Sequence, residues 1–249
     1  VQEAFASGQF FLKYQPIVSL QGHESRFEEA LARWRHPARG AVAPDEFLPV
    51  IDEAGLSGRF DRCAVHRACN QAREWAARGL PVRIAVNVSA STFADPDIAL
   101  WVSAAVRAQG LSPEMLTIEI TETTAMGDPA ASAARVAQLR AMGIHVAVDD
   151  FGVGHSSLGY LRTFEFNKLK IDRTFVGGIG HSRRAEILVR SIVSLARSLG
   201  LVTVAEGVET EEQRDWLADV GCDYMQGWLV ARALTVEAAE RFLRGGAAA

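Results

Sequence analysis

Cysteine is scarce in this 249-residue chain, which has only Cys63, Cys69 and Cys222. An odd, sparse set without CxxC spacing excludes a disulfide framework and a cysteine zinc site. Reduced thiols of a cytoplasmic protein are the expectation. No apolar run approaches the roughly 18 residues that a membrane-spanning helix needs. No basic, apolar, small-residue leader opens the chain. A basic excess is also missing: 30 acids face 26 bases, for a net charge of −4. That argues against long nucleic acid as a partner, because a polyanion needs a basic surface. There is no interior Pro/Gly/Ser linker, so one domain over 1–249 is expected. The absent starting methionine suggests a domain excised from a longer signalling protein.

Hydrophobic residues are plentiful, at 49% of the chain, enough for a large core. They recur as short β-rich runs, each followed by a helical pattern. The runs are 11–20, 26–34, 82–89 (VRIAVNVS), 116–121 (LTIEIT), 144–150 (IHVAVDD), 166–172 (FNKLKID), 201–207 (LVTVAEG) and 224–230 (YMQGWLV). Helical spacing over 183–199 stops at Gly200, and that over 135–142 stops at Gly143. Eight such units predict a (βα)8-type barrel, with a doubly wound open sheet as the rival. Within a strand, alternate residues face opposite sides. Leu116, Ile118 and Ile120 thus share a helix-facing side, and Thr117, Glu119 and Thr121 the other. The run 201–207 breaks this pattern, since Val202 and Val204 share the side of Glu206.

Nearly every predicted strand carries a residue able to do chemistry: Glu29, Asn87, Glu119, Asp149 with Asp150, Lys170, Glu206 and Gln226. In a parallel barrel all strand C-termini lie on one face. One acid at a strand end is ordinarily a turn residue or a helix cap; the series together is harder to explain that way. Converging carboxylates repel, and Lys170 alone cannot neutralise five of them. Carboxylate and amide oxygens suit Mg²⁺ or Mn²⁺. Two such ions about 3.5–4 Å apart are a device for phosphoester hydrolysis. The residues alone therefore point to a metal-dependent barrel enzyme and leave its substrate open. Rival motifs fail: the Asp150-Phe151-Gly152 triplet has no kinase companions, Gly152-Val153-Gly154 lacks a third glycine at Ser157, and GxSxG and HExxH are absent.

The motifs in order are YQPIV (14–18), EALARWRHP (29–37), PDEFLP (44–49), NVS (87–89), LTIEITET (116–123), VDDFG (148–152), LKIDRTFV (169–176), VAEGVET (204–210) and QGWL (226–229). This ordered set resembles the EAL domains, bacterial phosphodiesterases of the second messenger cyclic di-GMP. The resemblance implies a TIM-barrel variant with one antiparallel strand, near 14–18, and a homodimer. It implies hydrolysis of cyclic di-GMP to a linear dinucleotide with two divalent cations, Mg²⁺ or Mn²⁺. By position, Glu29, Asn87, Glu119 and Asp149 resemble ligands of one ion. Asp149, Asp150 and Glu206 resemble those of the other. Lys170 resembles the lysine that holds the attacking water, and Glu206 could accept its proton. Arg33 would meet phosphate, Gln15 a guanine edge, and Leu31 would lie under the ligand. Glu209 and Gln226 resemble supporting groups, and Glu122 an anchor for the loop after Asp150.

Each residue also has a plain structural alternative: core packing for Leu31 and Trp34, a surface charge for Arg33, a turn for His36. Val153 and His155 depart from the usual DFGTGYSS loop, which puts dimer coupling in doubt. Ser91-Thr92-Phe93, Asn167, Trp228 and Ala233 depart elsewhere. A non-catalytic cyclic di-GMP receptor signalling through partner domains is the alternative function. A lyase using Lys170 as a Schiff base is a third, disfavoured because acids around a lysine raise its pKa.

Overall fold

A computed structural model of the chain describes residues 2–22, 27–153 and 164–245; His155 lies outside these. Among the described residues nine strands form one sheet: β1 (Phe10–Ser19), β2 (Phe27–His36), β3 (Gly40–Val42), β4 (Arg83–Asn87), β5 (Leu116–Thr121), β6 (His145–Phe151), β7 (Lys168–Ile171), β8 (Val202–Ala205) and β9 (Tyr224–Met225). The order is β1-β9-β8-β7-β6-β5-β4-β2-β3, and a further β1–β2 pairing closes an eight-stranded barrel. β1 runs antiparallel to both neighbours, setting Gln15 opposite Glu29. β3 is an extra hairpin partner of β2, outside the eight predicted runs. Its turn is held by His36, whose Nδ1 accepts from the backbone N–H groups of Ala38 and Arg39.

The apolar parity of the strands fixes which side meets the helices. Ile84, Val86, Leu116, Ile118, Ile120, Val146, Val148, Leu169 and Ile171 are buried in one cluster with Trp75, Val102, Leu139, Val189 and Val193 of the helices. Each such side chain contributes about 1.5–3 kcal/mol on burial. The helix Arg183–Ser198 is capped by the Ser182 hydroxyl, which accepts from the Ala185 N–H. Gly200, at φ 72°, ends it in the left-handed region. Trp34 packs among Phe10, Phe47 and His36, and its Nε1 donates to Gln9.

The other strand face fills the barrel. At its lower end Ile17, Phe27 and Val204 form a separate buried cluster with Tyr224. This explains the irregular parity of β8: Val204 points inward because it helps plug the barrel floor. Lys168 Nζ lies 4.0 Å from the Phe27 ring centroid and donates to Thr117 Oγ1 at 3.1 Å. Burial pushes its pKa down to about 8. Glu28 faces the helices, fully buried, and neither carboxylate oxygen has a hydrogen-bond partner among the described residues. Burial pushes it up to about 8, so it is held as the neutral acid.

The sequence pattern predicts a strand over 224–230, but β9 stops at Met225. Here the chain is tied sideways: Val208 N–H donates to Gln226 O, and Leu229 N–H to Val208 O. Gly227 allows this close approach, since a Cβ there would stand 2.1 Å from the Val208 carbonyl oxygen. Gly227→Ala must therefore displace backbone. It is expected to cost about 1–3 kcal/mol, read as a lower Tm; an unchanged Tm would show that the segment yields freely.

Candidate metal and phosphodiester site

The upper ends of the strands bring the predicted residues together. Glu29 comes from β2, Asn87 from the end of β4, Glu119 from β5, Asp149 and Asp150 from β6, and Lys170 from β7. Glu206 and Gln226 follow β8 and β9 directly. Lys170, with only 1% of its surface exposed, sits at the centre. Its Nζ is 2.7 Å from Glu206, 3.0 Å from Glu119, 3.1 Å from Asp149 and 3.4 Å from Glu29.

Four carboxylates around one ammonium leave negative charge in excess. Their attraction outweighs the burial penalty on Lys170 and raises its pKa well above the usual lysine value. That fits a permanent ammonium and not a Schiff-base amine. Burial raises Glu119 well above its usual range and pushes Glu206 up to about 8. Burial and the neighbouring Asp149 also raise Asp150. Glu29 is lowered: although buried, it has Lys170 beside it and accepts hydrogen bonds from Gln226 and Asn87. Gln226 Nε2 donates to Glu29 Oε2 at 2.7 Å and to Gln15 Oε1 at 3.2 Å. Gln15 in turn donates to the Ala231 carbonyl.

Two adjacent aspartates in a regular strand would point to opposite sides. β6 avoids this by a register shift between Val148 and Phe151. Asp150 takes φ 53°, the left-handed region, where aspartate is tolerated better than most residues. Its N–H donates to Asp149 Oδ1. The irregularity brings both acids to one mouth. The loop that follows is tied down at Gly152, whose N–H donates to Glu122 Oε2 at 2.9 Å.

Two sets of oxygens lie close enough to share an ion, within 4.8 Å of one another: Glu29, Glu119 and Asp149, and then Asp149, Asp150 and Glu206. These are hard anionic donors at Mg²⁺ or Mn²⁺ spacing, short of cations, and so they fit the divalent ions the motifs suggest. Asp149 belongs to both sets. Asn87 turns its Nδ2 toward Glu29 at 2.7 Å and Glu119 at 3.3 Å. Rotating the amide by half a turn would present its oxygen instead.

A hollow of about 560 Å³ opens above these groups, with Leu31, Glu209 and Trp228 on its walls. Arg33 does not line it. It stands in an adjoining hollow with Lys13 and Arg232, half-buried, and its Nη1 donates to the Ala32 carbonyl. Asp45, Asp172 and Arg173 also line the main hollow, and sequence reasoning gave them no role. Asp172 could have been found, because it directly follows β7 at a strand end. Asp45 lies in a helix and carried no such signal.

The chain matches the family model described as EAL domain over residues 1–233. It belongs to the EAL domain family. The domain is 40% identical over 238 residues to the bifunctional diguanylate cyclase/cyclic di-GMP phosphodiesterase MucR of Pseudomonas aeruginosa, covering 95% of this chain and 35% of that protein. It is 36% identical over 245 residues to the cyclic di-GMP phosphodiesterase NbdA of the same organism, covering 98% of this chain and 31% of that protein. This EAL domain thus spans about a third of the length of these curated relatives. The solved structure of the PaMucR phosphodiesterase in complex with c-di-GMP superposes with a TM-score of 0.90 at 40% identity, covering 95% of this chain and 96% of that one. Among the described residues, no helix is long and apolar enough to cross a membrane.

The shifted acids set a pH dependence. Glu206 stays protonated in the folded domain up to about pH 8 but ionises above 4.5 in the unfolded chain. Between those values the unfolded chain binds fewer protons, so stability falls as pH rises. Glu119 and Asp150 act in the same sense; Glu29, lowered, acts oppositely at more acid pH. The metal-free EAL domain should therefore melt at lower temperature near pH 8 than near pH 5.5, and excess Mg²⁺ should raise Tm more at the higher pH. Melting curves check this, and a metal-free Tm that climbs across the window contradicts it.

Proposed function

We propose that this EAL domain hydrolyses one phosphodiester bond of cyclic di-GMP, giving linear pGpG. The observation that carries the reading is the complete acid set around Lys170, opening into a hollow that abuts a basic one. Divalent cations, when bound, supply the charge that acidifies a water and offsets charge growing on the phosphate. Glu29, Asn87, Glu119 and Asp149 would hold one ion. Asp149, Asp150 and Glu206 would hold the other.

The chain's own residues do the rest. Lys170 Nζ donates a hydrogen bond to the attacking water and fixes its line of approach. Glu206, with its side chain 19% exposed, is the most open of the acids around Lys170; burial keeps it protonated to about pH 8 in the metal-free domain, and with divalent cations beside it the carboxylate would be ionised and would accept the water's proton. The water oxygen forms the new bond to phosphorus, the bond to the ribose oxygen breaks, and that oxygen takes up a proton from solvent as it leaves, while Glu206 later returns its proton to solvent. Gln226 holds Glu29 in place, and Gln15 reads a guanine edge. Arg33 meets phosphate, Leu31 supports the ligand from below, and Glu209 lines the opening. Glu122 acts through Gly152, keeping the loop beyond Asp150 in position.

The domain works as a homodimer within a larger cytoplasmic protein. The curated relatives are about three times its length, which supports sensor or regulatory domains beside it.

Incubation with cyclic di-GMP and Mg²⁺ or Mn²⁺ should yield the linear dinucleotide, resolved by chromatography. Glu29→Ala should leave no detectable turnover, and Gln226→Ala should lower it about 10–100-fold by freeing Glu29. Tight binding without product under either metal would make the domain a receptor and end the hydrolytic reading.

A further inference from the structure

A hollow of about 460 Å³ lies on the outer wall of the barrel and shares no lining residue with the acidic one. β1 separates the two. Successive strand residues point to opposite faces, so Gln15 lines the mouth while Tyr14, next to it, turns outward and lines the outer hollow. The volume falls within the roughly 300–1,000 Å³ typical of small-molecule sites.

The wall facing β1 is the helix Ser57–Ala77. Arg67, Gln71 and Trp75 follow one another at intervals of four, which puts three N–H donors on one face of that helix. The face packs on β1: the Trp75 ring meets Tyr14 edge-on, with centroids 4.8 Å apart, and Arg67 Nη1 donates to the Phe10 carbonyl. Among the described residues, no carboxylate lies within salt-bridge distance of Arg67. Gln71 is only 8% exposed, yet its Nε2 has no hydrogen-bond partner among the described residues, and neither has Trp75 Nε1. A buried donor left open is costly, so Gln71 calls for an acceptor. The neighbouring Asn70 is already engaged, donating to Glu74 and accepting from Arg73.

Arg67 and Gln71 both line the hollow, and Phe11, Leu12 and Val236 give it an apolar side. One unpaired guanidinium and one open amide suit a ligand with a single negative charge. A carboxylate fits, because each of its two oxygens can accept, one from each group. The apolar side asks for a hydrocarbon body behind the acid. We propose that this outer hollow binds a small organic carboxylate, its acid group between Arg67 and Gln71 and its body against Phe11, Leu12 and Val236. The site is separate from the mouth and needs no divalent cation.

Benzoate is a suitable probe. Titrated into the isotopically labelled chain without divalent cations, it should shift the Gln71 side-chain amide resonances and the backbone amides of Leu12 and Arg67. The shifts should saturate with a Kd on the order of 1 mM, as expected for so small a ligand. Gln71→Leu keeps the bulk and removes the donor; it should weaken binding about tenfold, with a Tm equal to or above the parent's verifying the fold. Arg67→Lys keeps the charge but loses the planar fork, and should weaken binding about fivefold. Glu29→Ala should bind benzoate as the parent does; loss of binding there would place the ligand at the mouth and overturn the inference. Inorganic phosphate should shift the same resonances less than benzoate, and equal shifts would overturn the assignment of an organic acid. No saturable shift by about 20 mM benzoate, or an unchanged Kd in Gln71→Leu, overturns the site itself.

Discussion

Lys170 is held by four carboxylates that would not otherwise tolerate one another. Each reaches it from a different strand or strand end, and among the described residues the buried ammonium is the one positive charge within salt-bridge distance of them. Removing it would leave several buried acids facing each other, a situation that proteins avoid by protonation or collapse. The barrel supplies the convergence; Lys170 makes it bearable before any ion arrives. Burial, with the neighbouring acids adding to it, raises Glu119 and Glu206, and the same crowding of carboxylates would suit the site to divalent cations. Lysine and, in the proposed working state, divalent cations would answer one electrostatic demand.

That arrangement depends on local irregularity as much as on the barrel. A regular β6 would have sent Asp149 and Asp150 to opposite sides. The register shift and the left-handed Asp150 bring both to the mouth. Gly152, at φ 98°, stands where a Cβ would meet the Phe175 ring at 2.7 Å, so the chain after the acids can turn closely past that side chain. Gly227 does the same at β9, drawing Gln226 beside Glu29. Strain and close approach collect where the acids must be aimed.

Much of this was legible in the residues. Alternation in 116–121 and 82–89 separated the helix-facing side from the inner one, because burial on one face imposes period two. Acids at strand ends pointed to the mouth because parallel strands share a polarity. The irregular parity of 201–207 was visible too, but not its reason, which needs Ile17 and Phe27 from across the barrel. The early end of β9 was hidden, since β propensity in 226–230 does not reveal a competing tie to Val208. Arg33 carried a phosphate motif, yet motif order could not say that it stands in a neighbouring hollow. Glu28, beside the acid that names the family, gave no sign that it would be buried with no hydrogen-bond partner among the described residues.

The plug of Ile17, Phe27 and Val204 decides the side of approach. With the lower end of the barrel sealed by buried side chains, the hollow above is a blind well. Among the described residues, a ligand would therefore meet the acids only from the mouth side of the barrel.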